Sequence, residues 1–499
     1  MLGKYDGQGN LINIGVSFWG TGTYAGASPI DKAINTALDA TSDLFSGLLD
    51  GYADNYVRHA YNNLMRSVVD FARANGLSGS DVIISGHSLG GLAVNSLATL
   101  SSQGAWEGFF QDSSYVAFAS PTQNLSSDKV LNIGYENDPV FRVLNGSSFT
   151  AESAFSHDTP RETCTNNVVS FNETYANKFG LMSIANLFSW TAHSGAGYTD
   201  GVLRIMDSEI YDFTHQNSNV IVSNLAEGNR AKMWVSDLNK SLPHTGSTFI
   251  VGTESNDLLK GGAGNDYLCG GAGNDTFKDH SGFNVIYGGE GTNTYITECN
   301  VKDFSFSHDA DGSLYFKYST GDITKAQDMQ YVNAAYTKSC LFGIKYDVKE
   351  TFSVTDYGLE GKHQAYSYAN SYYANTENSF TVSSIADGSW LFSGESDSNI
   401  SIAGNSNSII SGGGSDVIHL NGSDNTMQFY GDFGNDTIFN LSATDSLVFM
   451  ANQYIADDDS YYNHLSFVDN NALLTFGESS VTLVGVNADM LSDMHIAVA

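Results

Sequence analysis

The 499 residues divide into an α/β domain over positions 1–245 and an all-β domain over 246–499. Three observations lead to this division. Short apolar strand candidates alternate with helical stretches in the first half, which implies a mostly parallel, covered sheet. The pentapeptide Gly86-His87-Ser88-Leu89-Gly90 lies between a strand candidate and a helix candidate. From Gly252 onward a nine-residue glycine–aspartate period replaces both patterns.

In the first domain, Leu11 to Phe18 is a strand candidate and Trp19-Gly20-Thr21-Gly22 turns out of it. Residues 31–50 are weakly helical, with Ile34, Leu38, Phe45 and Leu48 among aspartates. Residues 52–75 form a stronger helix whose apolar stripe reads Tyr56, Ala60, Leu64, Val68 and Phe71. Val82-Ile83-Ile84 is a buried strand, and Gly91 to Ala98 has helical composition. Tyr115–Phe118 and Val130–Tyr135 are the next strands, and residues 177–190 are a mixed stretch, either a core helix or an amphipathic flap.

Strand, pentapeptide and helix together make a nucleophile elbow, the mark of an α/β hydrolase-like domain. Gly86 and Gly90 leave room where the chain turns sharply. Ser88 then stands exposed at the sheet top, and the Leu89 N–H, at the helix start, can face a developing oxyanion. A serine nucleophile needs a base and an orienting carboxylate, here in the order serine, acid, histidine. Glu136-Asn137-Asp138-Pro139 leaves the Val130–Tyr135 strand, and Asp138, which starts the turn into proline, is favoured over Glu136. The base is one of His157, His193, His215 and His244, and composition does not separate them.

In the second half, Gly252-Thr253-Glu254-Ser255-Asn256-Asp257, Gly261-Gly262-Ala263-Gly264-Asn265-Asp266 and Gly270-Gly271-Ala272-Gly273-Asn274-Asp275 follow one another at nine-residue intervals. Leu259, Leu268, Phe277, Ile286 and Tyr295 recur at the same period. This is the signature of a parallel β-roll: glycines turn, the sixth-position aspartate offers oxygen to Ca²⁺, and the large residue fills the core. Asn284 and Asn293 replace aspartate in the next two turns, so calcium binding is expected to weaken toward that end. A poorer block at 393–438 spaces Ile400, Ile409, Ile418 and Met427 by nine, with Ser398, Asn407, Asp416 and Asn425 at the sixth positions and Asp436 out of frame. Residues 300–390 and 440–490 read as antiparallel strands, and the chain ends in an acidic residue and a short apolar tail, Asp493 to Ala499.

Composition narrows the function. There are 55 acidic and 22 basic residues, a net charge of −33, which argues against nucleic acid and is tolerable where metal ions neutralise carboxylates. Glycine counts 51 and proline 5, in keeping with glycine turns. No apolar run reaches membrane-spanning length, and the N-terminus lacks the apolar core of a secretory signal. Cys164, Cys269, Cys299 and Cys340 match no zinc spacing and read as isolated thiols. Rolls that fold on calcium, in the millimolar range of extracellular modules, fit secretion rather than the cytosol.

Over nearly its whole length the sequence resembles the secreted bacterial lipases that carry RTX repeats and leave through the type I ABC exporter. The resemblance rests on Gly86 to Ser96, Tyr115 to Gln123 and Asn132 to Phe141, beside the repeats. It implies a calcium-dependent extracellular triacylglycerol lipase, monomeric and acting at an oil–water interface. Ser88 is then the nucleophile, Asp138 the acid and His193 the base, with Leu89 and Thr21 at the oxyanion. It implies lids near 31–50 and 177–190, the first held by calcium through positions four apart, here Asn35 and Asp39. Asp257, Asp266, Asp275, Asp416 and Asp436 are the roll ligands, and the tail is an uncleaved export signal. The family begins with a further, largely helical segment, so an N-terminal part is missing here. It also has arginine where Trp19 precedes Gly20-Thr21, and it usually avoids cysteine. The competing readings are a phospholipase A1 and a calcium-binding surface protein whose hydrolase half is crippled.

Overall fold

The computed structural model describes residues 1–19, 52–122, 129–141, 167–177, 187–214, 218–240, 244, 247–340, 343–373, 380–382, 385–450 and 460–498. These form two compact units. The first comprises Met1–Arg204, Asn219–Ala226 and Leu238–His244, and the second Ile205–Ser218, Glu227–Asp237 and Thr245–Ala499.

The first unit is built on one sheet. Strands β1 (Leu2–Tyr5), β2 (Leu11–Phe18), β3 (Val82–His87), β4 (Ser114–Phe118) and β5 (Val130–Ile133) lie side by side in that order. Only β1 runs antiparallel to its neighbour. A parallel bridge from Tyr135 to Val168 carries the sheet on to β6 (Asn167–Phe171), which pairs parallel with β7 (Asn219–Ser223). Parallel strands need covered faces, and β6 and β7 are buried along their whole length.

Helix α1 (Tyr52–Ala74) and helix α2 (Leu89–Ser102) pack on this sheet through one core with Ile14, Val16, Val82 and Ile84. The buried face of α1 is Val57, Met65, Val68, Val69 and Ala72. Of the stripe read from sequence only Val68 lies inside; Tyr56, Ala60, Leu64 and Phe71 are exposed. Both stripes satisfy a helical period and lie one residue apart around the axis, so periodicity alone does not choose between them. The helical stretch at 31–50 and positions 178–186 of the flap lie outside the described residues, while Leu187–His193 is a 3-10 turn.

The second unit holds two rolls. In the first, Thr248–Thr253, Asp266–Gly271 and Phe283–Tyr287 stack in parallel as one wall, and Leu258–Lys260, Thr276–Lys278 and Asn293–Asn300 as the other. Leu259, Leu268, Phe277, Ile286 and Tyr295 are all fully buried between the walls. Ile323–Gln327 and Met329–Ser339 then add a further parallel strand to each wall, so the roll outlasts its glycine motif.

The second roll begins before residue 393, with Ser371–Tyr373 and Phe380–Val382 already paired in parallel to Trp390–Phe392 and Ser398–Ile402. Ile400 pairs with Ile418 and Ile409 with Met427 at the expected eighteen-residue step. The next step is twenty: Ile418 pairs with Ile438 and Met427 with Leu447. The antiparallel reading of 440–490 holds on one side only. Ser479–Leu483 is antiparallel to Asn471–Phe476 on one side and parallel to Asn435–Phe439 on the other. The apolar tail forms a strand: His495–Val498 pairs in parallel with Ser446–Phe449.

Ile418 has no exposed surface and sits among Ile400, Leu420 and Ile438. Ile418→Ala is expected to cost about 2–5 kcal/mol, transfer and cavity terms together. Thermal melts in calcium measure it, and a loss below about 1 kcal/mol would mean that Ile418 is not a core residue of the roll.

Candidate functional site

The elbow is imposed by crowding. Ser88 holds φ 60°, ψ −125°, a strained conformation for a side-chain-bearing residue. Its amide donates to Phe118 O on β4 at 2.9 Å. A Cβ on Gly86 would collide with the Gly90 carbonyl, and one on Gly90 with the Phe18 carbonyl. Only glycine permits the helix to start this close to β2 and β3. Helix α2 is fixed across the sheet by a buried amide pair, Asn95 Nδ2 donating to Asn132 Oδ1 at 2.9 Å.

Three candidate residues meet at the strand ends. Ser88 Oγ lies 2.9 Å from His193 Nε2. His193 Nδ1 lies 3.0 and 2.9 Å from the two oxygens of Asp138. Ser88, His193 and Asp138 are 5%, 6% and 0% exposed, so water does not compete for these bonds. With Nδ1–H donating to the carboxylate, Nε2 is left to accept the serine proton. Burial alone would raise the Asp138 carboxyl. The His193 ring and hydrogen bonds from His193, Tyr198 and Val140 outweigh it and hold the group below the usual carboxylate range.

Sequence reasoning passed over Tyr198. Its hydroxyl donates to Asp138 Oδ2 at 2.7 Å and accepts from the Tyr135 amide at 2.8 Å. Nothing in the local sequence marks it beyond its place five residues after His193. His87, the variable residue of the elbow, packs 4.9 Å from the His193 ring and is pushed down to about 4 by burial and by that neighbour. It stays neutral beside the His193 imidazole.

The two acids at the end of β5 take different histidines. Glu136 Oε2 accepts from His244 Nε2 at 2.8 Å and from Asn167 Nδ2 at 2.9 Å. His157, His215, Thr21, Asn35 and Asp39 lie outside the described residues. Leu89 is the first residue of α2, where amides lack intrahelical partners. Cys269, Cys299 and Cys340 carry free thiols, and Cys164 is outside the described residues.

In the rolls, one oxygen of each sixth-position side chain is already spent. Asp275 Oδ1 accepts the Asp257 amide at 2.7 Å, Asn284 Oδ1 the Asp266 amide at 3.0 Å, and Asn293 Oδ1 the Asp275 amide at 2.9 Å. The second roll repeats the device, Asp416 Oδ1 accepting from Ser398 at 2.8 Å. Asp436, out of frame in the sequence, is in place: the twenty-residue step lets its Oδ1 accept the Asp416 amide at 2.9 Å. Asp445, unmarked in the sequence, does the same for Asn425 at 2.9 Å.

The second oxygens test the fit to calcium. Asp275 Oδ2 and Asp416 Oδ2 are buried without a hydrogen-bond partner. A Cβ on Gly270 would stand 2.5 Å from Asp275 Oδ2 and 2.7 Å from Gly288 O, so the glycine leaves a hollow lined by a carboxylate and a carbonyl. Among the described residues no three His, Cys, Asp or Glu side chains form a metal cluster, so the other ligands would be backbone oxygens. Asp257 and Asp436 share their second oxygens with Thr253 and Ser411, and Asp266 shares its own with the Gly262 amide. Hard oxygen ligands of this kind suit calcium.

Comparison with known proteins follows the same division. The RTX calcium-binding nonapeptide repeat matches at residues 244–277 and 274–298. A lipase of Pseudomonas fluorescens is 47% identical over 260 residues, covering 51% of this chain and 53% of that protein. A second lipase of that organism is 46% identical over 260 residues, covering 51% and 56%. The chain thus spans about half the length of the curated relatives it matches. The crystal structure of the extracellular lipase LipA from Serratia marcescens superposes with a TM-score of 0.85 at 38% identity, covering 100% of this chain and 80% of that one. Fold and repeats define a calcium-repeat protein of the lipase class. More particularly, the chain belongs to the secreted bacterial lipases that carry RTX repeats.

Burial pushes Asp275 and Asp436 up to about 7 and Asp416 to about 6, from an ordinary value of 3.8. Without metal, each binds its proton more tightly folded than unfolded. That stabilisation is complete below the unfolded value and is lost as pH rises through 6 to 7. In EDTA the rolls are therefore expected to melt lower at about pH 8 than at about pH 5, and calcium, replacing the proton, to reverse the order. Circular-dichroism melts in the four buffers check this; identical melts with and without calcium would argue against metal in the rolls.

Proposed function

We propose that the chain is a calcium-dependent extracellular triacylglycerol lipase, with the first unit an α/β-hydrolase domain that cleaves esters through Ser88, His193 and Asp138. The observation that carries this reading is the unbroken chain of short contacts from Ser88 Oγ through His193 to Asp138. Ser88 Oγ attacks the ester carbonyl while His193 Nε2 takes its proton, then returns it to the leaving alcohol. Asp138 holds the imidazole tautomer, and Tyr198 holds Asp138. The Leu89 amide, with Thr21, shelters the oxyanion. Water, deprotonated by the same imidazole, resolves the acyl-enzyme.

Calcium, held by Asp257, Asp266, Asp275, Asp416 and Asp436, supplies the charge that lets the rolls fold. Acylglycerol as substrate is supported by the relatives' description as lipases. Secretion through the type I exporter, action at an oil–water interface and a monomeric state belong to the same reading. No helix among the described residues is long and apolar enough to cross a membrane.

The test is turnover of p-nitrophenyl palmitate in about 10 mM calcium, above the affinities of extracellular modules. Ser88→Ala is expected to lose about 10⁶-fold in kcat; equal rates for the two proteins would end the enzyme reading. Tyr198→Phe removes one hydrogen bond to a charged group, about 2 kcal/mol. A roughly thirtyfold fall in kcat with little change in KM is expected, and an unchanged kcat would detach Tyr198 from the site.

A further inference from the structure

Asp279 lies outside the sixth-position series. It opens the turn Asp279-His280-Ser281-Gly282-Phe283-Asn284, at the position held by Gly261 and Gly270 in earlier turns. It is 2% exposed, and neither carboxylate oxygen has a hydrogen-bond partner. The Asp266 carboxyl and the amides of His280 and Ser281 lie beside it without reaching hydrogen-bond geometry. A buried carboxylate with both oxygens unmet is expensive unless a proton or a cation meets it.

Its surroundings show where that cation would sit. A Cβ on Gly261 would collide with Asp279 Oδ2 and stand 2.8 Å from Asp266 Oδ2, so the two oxygens converge on one hollow. The neighbouring turn has the same hollow. There Gly270 faces Asp275 Oδ2 and, from the residue eighteen positions on, the carbonyl of Gly288. Asp279 stands eighteen positions after Gly261, so its carboxylate takes the place of that carbonyl. Asn284, the sixth residue of this turn, cannot help. Its Oδ1 accepts the Asp266 amide, and its Nδ2 donates to Ser281 O at 3.1 Å.

We propose that Asp279 and Asp266 together form a two-carboxylate calcium site over Gly261, and that Asp279 restores the ligand lost where Asn284 replaces aspartate. The inference rests on the reading of the rolls as calcium sites. It changes the expected gradient: calcium binding does not weaken at the Asn284 turn. It weakens at the Asn293 turn, where Asn293 Nδ2 is turned to Gly289 O and Asp328 O at 3.2 and 3.1 Å.

Calcium isotherms of the full-length chain, by titration calorimetry from the EDTA-treated protein, test this for Asp279→Asn, Asp266→Asn and Asp275→Asn. D279N is expected to lose one calcium ion per chain and to shift the midpoint of calcium-induced β signal at least tenfold upward. D266N is expected to lose that same ion, so the double variant loses no more than either single one. An unchanged count in D279N, or two ions lost in the double variant, overturns the proposal. If only D275N alters the isotherm, the site over Gly261 fails and the wider calcium reading survives; if no variant does, both fail. Should D279N not fold, a crystal structure of the unsubstituted chain grown in calcium decides: an ion bound by both carboxylates upholds the site, and calcium elsewhere in the roll with Asp279 unliganded removes it.

Discussion

A carboxylate taken out of water must be met by something of opposite charge or by donors, and both units of this chain are arranged to meet that demand. In the first unit Asp138 is fully buried and is met by an imidazole, a phenol and an amide. In the second, Asp275 and Asp416 each give one oxygen to the coil before and leave the other without a partner. The same chemical group thus serves two ends. Supplied with protein donors it faces a histidine; half-supplied it keeps one oxygen of the kind that suits calcium.

Much of this was legible in the residue order because the signals were local. The elbow needs glycine at two fixed positions, and the collisions at Gly86 and Gly90 explain why. The nine-residue period is equally local, since each coil repeats the contacts of the one before. Asp138 is favoured over Glu136 by the turn it begins, and the two acids meet different histidines.

What escaped was set by distance in the chain. Tyr198 reaches Asp138 across sixty positions, and no spacing rule announces it. Asp436 looked out of frame because two extra residues precede it, yet the strands absorb them and keep the hydrogen-bond ladder in step. The buried stripe of α1 lies one residue from the one the periodicity suggests, because Tyr56, Leu64 and Phe71 are as apolar as the residues that face the sheet. Antiparallel pairing was correctly expected around 304–318 and 465–483, but several of these strands also join a parallel wall, and alternation of side chains says nothing about the direction of the neighbour.

The strand His495–Val498 has one further implication. It is the outermost member of its wall, and the segment beneath it, Ser446–Phe449, presents Leu447, Val448 and Phe449 in succession. Short final strands blunt a sheet against self-association. A molecule clipped by a protease within those last residues would uncover an unpaired backbone row on a greasy segment, and two such molecules could join edge to edge. Its solubility would fail while the serine, histidine and aspartate of the first unit kept their own contacts.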